Sequence, residues 1–497
     1  MVGISEDIKF EGRILDNVHG FIYYTKTEEK IINTLLFKRL QSIKQLSIAN
    51  WVFPGSEHTR FIHSLGVMFV ADKIAQKLKL SVEDRKIVRL AGLLHDIGHY
   101  PLSHVCEYPY KESPESFPDE KYCQKVNAKV KRQVESFEIN SKMTFMKKST
   151  GYHHEKIGAD IVQNNQEIRE LIIDECGPEA PEIIADMIVG NVERQQTNPL
   201  LVQILHAELD ADGIDYLMRD AMFSGTSFGA FELDQLIGCM ETCTYKGKEI
   251  LCITPKGIAA ADQYLMNKFF SYSQVVFNKH ISITEWMAEQ IVDWMQKNNA
   301  YFPRNTVLRS WIANQSINEK YVDFTDNYFW TSLQNILQNP LADTEPQFIK
   351  YFCSELLRHN ELPYEENSEV KIISDDSKKI REVLMGSNTY QRLDSWTNRI
   401  TVFSNRSMSK QIPQKEFDEV IRQKIREGNK QPDASDNITE DDIPMLQRNR
   451  LMECICVKDG SDMHLLCDDP RSLMQSIYNM HLVILRAFEC NPPEELM

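Results

Sequence analysis

The chain has 497 residues, long for one hydrophobic core, which predicts two or three lobes. Its formal net charge of −16 excludes a general nucleic-acid coat, which needs a basic surface, but not an anionic small molecule held by local Lys and Arg. No uninterrupted apolar run reaches membrane length, the acidic start Ser5-Glu-Asp7 is unlike a secretory leader, and 11 scattered cysteines without a C-x-x-C pair are expected to be reduced thiols of a cytoplasmic protein.

Residues 8–30 read as a strand-and-turn entry with its turn at Asp16-Asn-Val-His-Gly20. Residues 28–48 read as a helix burying Ile31, Ile32, Leu35, Leu36, Leu40, Ile43 and Leu46; Arg39, Lys44 and Gln45 lie among them, Arg39 and Lys44 either on that side or on a solvated face. The next helix, 60–79, carries His63, and Arg60 lies one turn earlier on the same side. Ser81-Val-Glu-Asp84 is a capped, acidic helix start. Ile87, Val88, Leu90, Ala91 and Leu94 then recur at helical period, and Gly98 and Pro101 predict the stop. His95 and Asp96 fall at that end, about 100° apart around the axis, so both reach one ion only if it lies beside the helix end.

Residues 108–150 form a polar insertion in which Lys125, Lys129 and Arg132 make a basic stripe, either a solvated face or a lid or partner surface. Residues 154–224 read as helices, with Asp212, Asp215, Tyr216 and Arg219 along one stripe. A hairpin is expected at Lys246-Gly247, then a long helical region over 255–299 and a helical lobe over 301–426. An acidic linker at 427–447 precedes a C-terminal unit, 448–497, made of a hairpin at Asp459-Gly460 and a closing helix over 471–488. The fold class is thus mostly α, with small β-hairpins and a helical C-terminal lobe, and residues 1–300 hold the chemistry.

His63, the pair His95-Asp96 and the distant Asp212 form a plausible set of four ligands. Two imidazoles and two carboxylates suit one divalent cation (Fe, Mn, Zn or Mg), with water in any open position.

The order His…His-Asp…Asp resembles the HD-domain metal-dependent phosphohydrolases. Seven phrases in order resemble more closely one branch, the deoxynucleoside triphosphate triphosphohydrolases (dNTPases), which includes the vertebrate SAM- and HD-domain restriction factor. They are Asp16-Asn-Val-His-Gly20, Arg39-Leu-Gln-Ser-Ile-Lys-Gln45-Leu46, Val52-Phe-Pro-Gly55, Arg60-Phe-Ile-His63-Ser-Leu-Gly-Val67, His95-Asp-Ile-Gly-His99-Tyr-Pro-Leu-Ser-His104, His154-Glu155 and Asp212-Gly-Ile-Asp-Tyr216-Leu-Met-Arg-Asp220. The resemblance implies an HD-domain helical core over 1–300. It also implies hydrolysis of dNTPs to deoxynucleoside and tripolyphosphate, a homo-oligomer (dimer or tetramer) and a nucleotide effector. By the same resemblance His63, His95, Asp96 and Asp212 hold the metal, and His99, His104, Glu107 and His154 are catalytic. Gln45, Leu46, Tyr216 and Asp220 would meet the sugar, and Arg60 and Lys268 the phosphates.

Three departures bear on specificity. Gly213 stands where restriction-factor relatives carry a phosphate-binding Lys, the stretch Val276-Phe277-Asn278-Lys279 stands where they carry a Tyr near the sugar, and Asn33 and Gln41 replace the acid and Arg of their guanine-reading regulatory site. Two other readings of the sequence remain: an HD phosphohydrolase acting on a cyclic nucleotide, an alarmone or a nucleic-acid end, and a nucleotide sensor without turnover.

Overall fold

The computed structural model describes residues 7–111, 122–139, 153–192, 197–312, 319–338, 347–358, 366–396, 398–428 and 443–489. It is mostly α-helical, with three small sheets among these residues. An antiparallel hairpin, β1 (Gly12–Asp16) and β2 (Gly20–Tyr24), leads into the core helices. Helix α1 (Arg60–Lys77) packs on both α2 (Val82–Leu94) and α5 (Ala211–Ser224). Between them in the chain lie α3 (His104–Lys111) and α4 (His154–Asn164), and after them α6 (Ile258–Ser271) and α7 (Lys279–Lys297).

Local chemistry sets these elements. The Ser81 hydroxyl accepts from the Asp84 amide and caps α2. Asp210 caps α5 by accepting from the Gly213 amide. Two glycines are needed for close approach. A Cβ on Gly66 of α1 would lie 1.9 Å from Asp215 Oδ1, so only glycine lets α5 lie this close. A Cβ on Gly98 would lie 2.2 Å from the His154 carbonyl oxygen, so Gly98 both follows the end of α2 and lets α4 start against that end.

The expected single helix over 28–48 is broken. It runs as Lys26–Asn33, then Leu35–Lys38, then a 3-10 turn over Arg39–Ser42. Thr34 breaks it because its hydroxyl turns to cap the second piece, accepting from the Phe37 amide. Arg39 is not solvated: it is buried and its guanidinium donates to the carbonyls of His99 and Phe324. The region 255–299 likewise divides at Asn278, whose side chain caps α7. A π turn over Tyr272–Val276 precedes it, and such turns distort a helix where side chains must face a site.

The C-terminal half needs larger corrections. Strands β5 (Glu366–Ser374) and β6 (Arg399–Ser407) lie within the expected helical lobe. The expected closing helix over 471–488 is only Met474–Ile477, and β9 (His481–Glu489) follows as the middle strand of an antiparallel sheet of order β5-β9-β6. A middle strand is buried on both faces, so Leu482-Val-Ile-Leu485 shows no alternation and reads as helix or strand equally. The hairpins β3 (Met240–Tyr245)–β4 (Lys248–Ile253) and β7 (Cys456–Asp459)–β8 (Asp462–Leu465) join through a parallel pairing of β4 with β7. The segment 448–497 therefore shares one sheet with 301–426 and another with the core. Residues 429–442 of the acidic linker, and 112–121 and 140–152 of the polar insertion, lie outside the described residues. The insertion's helix Tyr122–Glu135 packs on β6 and on the helix Ser377–Met385.

The expectation of reduced thiols fails for one pair. Cys243 and Cys252 form a disulfide across the β3–β4 hairpin, with Cα atoms 6.3 Å apart. The register explains it: Cys243 faces Ile250, which puts Cys252, two residues on, on the same face. Eight other described cysteines are free.

Asp326 ties two site-bearing segments together, accepting from the Lys44 amide at 2.9 Å and the Leu102 amide at 2.7 Å. Burial pushes its carboxyl up to about 6, against those two hydrogen bonds. A carboxyl raised in the fold contributes stability that is complete below its unfolded value of 3.8 and is lost as pH rises through about 6. The melting temperature of the native protein relative to Asp326→Asn is thus expected to fall by a few degrees between acid and neutral pH, and a flat difference in thermal scans would contradict it.

Candidate metal centre and catalytic site

The end of α2, the start of α5 and the middle of α1 meet at one point. His63 Nε2 lies 2.9 Å from Asp212 Oδ1 and 3.7 Å from Asp96 Oδ2. His95 Nε2 lies 3.4 Å from Asp96 Oδ1 and 3.7 Å from Asp212 Oδ1. The structure thus brings together all four residues expected as ligands.

The donors fit a cation. One atom each from His63, His95 and Asp212 lies within 4.8 Å of the others, the spread of ligands around one ion. His95 Nε2 is buried there without a hydrogen-bond partner, while its Nδ1 is anchored on the Gly92 carbonyl at 2.9 Å. Asp96 is shared differently: one oxygen takes Arg60 NH1 at 2.8 Å, and the other faces His95, His99 at 3.6 Å and His154 at 4.0 Å. Burial opposes charge on Asp96, but Arg60 and His95 outweigh it and hold the carboxyl well below the usual range.

His63 is oriented from behind. Its Nδ1 is 2.7 Å from Asp215 Oδ2, so Nε2 faces the site, as when a carboxylate orients a metal-binding imidazole. Burial opposes charge on His63, yet Asp212 and Asp215 push it up to about 10. Asp215 also takes His19 Nε2 at 2.6 Å and two bonds from Arg219, each 2.9 Å, and Arg219 reaches Asp16 at 2.8 Å. Of the stripe Asp212, Asp215, Tyr216 and Arg219, Asp215 and Arg219 are completely buried. The sequence treated Asp16–Gly20 as a turn and missed the role of His19, which the ordered phrase containing it could have signalled.

Beside the metal donors lies a group of imidazoles. His99, His104 and His154 bring ring nitrogens within 4.8 Å of one another. Glu107 orders them, binding His104 Nδ1 and His154 Nδ1, each at 2.8 Å, and accepting from the His154 amide at 2.8 Å. Burial opposes charge on His154 but Glu107 raises it, whereas burial and the neighbouring Arg60 and His154 hold His99 neutral. Exchanging Glu107 for Gln frees both rings from a carboxylate, so kcat for phosphate-ester hydrolysis is expected to drop about a hundredfold with bound metal unchanged. Unchanged kcat would show that the acid only packs there.

A cavity of about 390 Å³ opens at the metal donors, and Gln45, Leu46, Arg60, His104, Asp212, Tyr216 and Asp220 line it. Asp220 is held by His58 Nε2 at 2.8 Å, a contact the sequence did not suggest. Lys268 is not among the lining residues: its Nζ is 3.5 Å from the Glu208 carbonyl oxygen and 5.8 Å from the Tyr216 ring centroid, behind the cavity wall. At Gly213 a Cβ would lie 2.2 Å from the Tyr264 hydroxyl, so no longer side chain fits there without displacing that ring.

A helical core thus carries ordered His, His-Asp and Asp donors with a group of imidazoles adjoining them. Residues 60–217 match the HD domain family. An uncharacterised protein of Methanocaldococcus jannaschii is 30% identical over 279 residues, 56% of this chain and 49% of that one, so the chain spans about half the length of that relative. A deoxynucleoside triphosphate triphosphohydrolase, SAMHD1 of Mus musculus, is 32% identical over 249 residues, 47% of this chain and 35% of that protein. The crystal structure of a protein from Aquifex aeolicus is 21% identical, covers 96% of each chain and superposes with a TM-score of 0.60, which shows a shared fold. Among the described residues no helix is long and apolar enough to cross a membrane.

Proposed function

We propose that the protein hydrolyses deoxynucleoside triphosphates to deoxynucleoside and tripolyphosphate by water attack at the α-phosphorus. The observation that carries this reading is Arg60, which lines the cavity while its guanidinium holds the metal-facing Asp96 at 2.8 Å, a cationic clamp beside a cation site. The ordered sequence phrases and the similarity to the mouse triphosphohydrolase support the nucleotide as substrate. His63, His95, Asp96 and Asp212 would hold a divalent cation, which when bound would supply Lewis-acid polarisation of a phosphoryl oxygen.

The chain's own groups do the rest. Arg60 binds a phosphate oxygen, and Ser103, whose hydroxyl meets Arg60 Nε at 3.0 Å, fixes the guanidinium. His154, held by Glu107 and stacked at 4.1 Å on His99, positions the attacking water. His104, on the cavity wall, protonates the leaving 5′-oxygen. Gln45, Leu46, Tyr216 and Asp220 enclose the sugar, and Lys268 acts on the polyphosphate from behind Tyr216. Assembly into a dimer or tetramer and activation by a nucleotide effector belong to the same reading.

The test is a product assay on metal-loaded protein with each dNTP, alone and in mixtures, with light scattering for assembly. Tripolyphosphate is the expected product. Monophosphate or pyrophosphate would point to another phosphohydrolase, and binding without turnover to a sensor.

A further inference from the structure

The cavity that Arg60 and Asp212 line carries two further acids. Glu285 and Glu289, one turn apart on α7, line it together with Tyr108 and Val276. The same four residues line a neighbouring cavity of about 300 Å³, so they form the partition between the two. Apolar Leu46, Val105 and Ile281 lie along the same cavity. Glu285 is half-buried there; burial pushes its carboxyl up to about 8, against a hydrogen bond with Ser47. One polar group of the same cavity lacks a partner. Gln45 is only 8% exposed, and its Oε1 has no hydrogen-bond partner among the described residues.

From this geometry we infer that Glu285 reads the base of the substrate and selects guanine, by accepting two hydrogen bonds from its N1–H and exocyclic 2-amino group. This rests on the proposed dNTP reading, which puts the phosphates at Arg60 and the metal donors and so leaves the base to the other residues that line the cavity, Glu285 and Glu289 among them. A carboxylate presents two acceptors side by side. Guanine alone offers two adjacent donors to match them. Adenine and cytosine present a donor next to a ring-nitrogen acceptor, and thymine a single donor between two carbonyls, so each sets a lone pair against the carboxylate. Glu289 adds acceptor character to the same wall. Tyr108 and Val276 line the same cavity as the two acids.

Binding of the four deoxynucleosides to the metal-loaded protein, measured by calorimetry, tests this without needing turnover. Deoxyguanosine is expected to bind at least about tenfold tighter than the other three. Glu285→Gln is isosteric but turns one acceptor into a donor. It is expected to remove most of that preference while leaving thymidine affinity and ion content unchanged. Equal binding of all four nucleosides by the native protein, or a preference that survives the Gln exchange, would overturn the assignment. The four-way comparison on native protein stands even if the variant fails to fold. A guanine preference without dNTP hydrolysis would sink the triphosphohydrolase reading only, and hydrolysis with equal nucleoside binding would sink this one only.

Discussion

Exchange of His95 for alanine is expected to empty the centre of its ion and bring hydrolysis down to background. The ring makes one hydrogen bond, Nδ1 to the Gly92 carbonyl, and its Nε2 is aimed at Asp96 and Asp212. The fold therefore loses little with the side chain, whereas the donor set loses one imidazole. Loss of a group that merely orients a ligand already costs about 10–100-fold in affinity, and loss of the ligand costs more. Elemental analysis should find about one ion per native chain and almost none in the variant, with matching melting curves. A variant that keeps its ion and its rate would mean that the centre lies elsewhere.

A different kind of loss is expected from Asp215→Asn. Asp215 is completely buried and answers three partners at once: His19, His63 and Arg219. Burial disfavours its charge, but Arg219 and the two histidines hold it well below the ordinary carboxylate range. Neutralising it leaves the Arg219 guanidinium, also completely buried, with Asp16 as its remaining ion-pair partner. Removing one side of a buried charge network costs about 3–5 kcal/mol, a large part of the stability of most domains. The midpoint of urea unfolding should fall accordingly. Metal affinity should fall too, because His63 would lose the acceptor that fixes its ring. An unchanged midpoint would mean that the network contributes nothing net, as in cases where buried ion pairs break even with apolar packing.

How much of this could be read from the residues differs from place to place. His63, His95, Asp96 and Asp212 were legible because a ligand set needs particular side chains in a particular order, and their helices carry plain periodicity and caps. Glu107 was legible for the same reason, lying three residues after His104 on one helix face. His19 and His58 were not, because each acts through one contact with a residue more than 150 positions away, Asp215 and Asp220. Glu285 carries no local signal either: on an amphipathic helix an acid toward a cavity looks like an acid toward water. In the fold, β9 was read as helix because burial on both faces erases the alternation that marks a strand. Whether Arg39 faces water or the interior was not legible, because its acceptors are backbone carbonyls, which every residue has and no sequence advertises.

The position of β9 also has a consequence for biosynthesis. Residues 481–489 sit between strands 366–374 and 399–407, and β7 completes a sheet begun by β3 and β4 some two hundred positions earlier. While the ribosome is still making the chain, those earlier strands wait with unpaired edges, and pairings so distant in sequence close slowly. Nascent protein should therefore depend on chaperones until the last strand emerges, and a truncation just before residue 481 should aggregate rather than leave a working fragment.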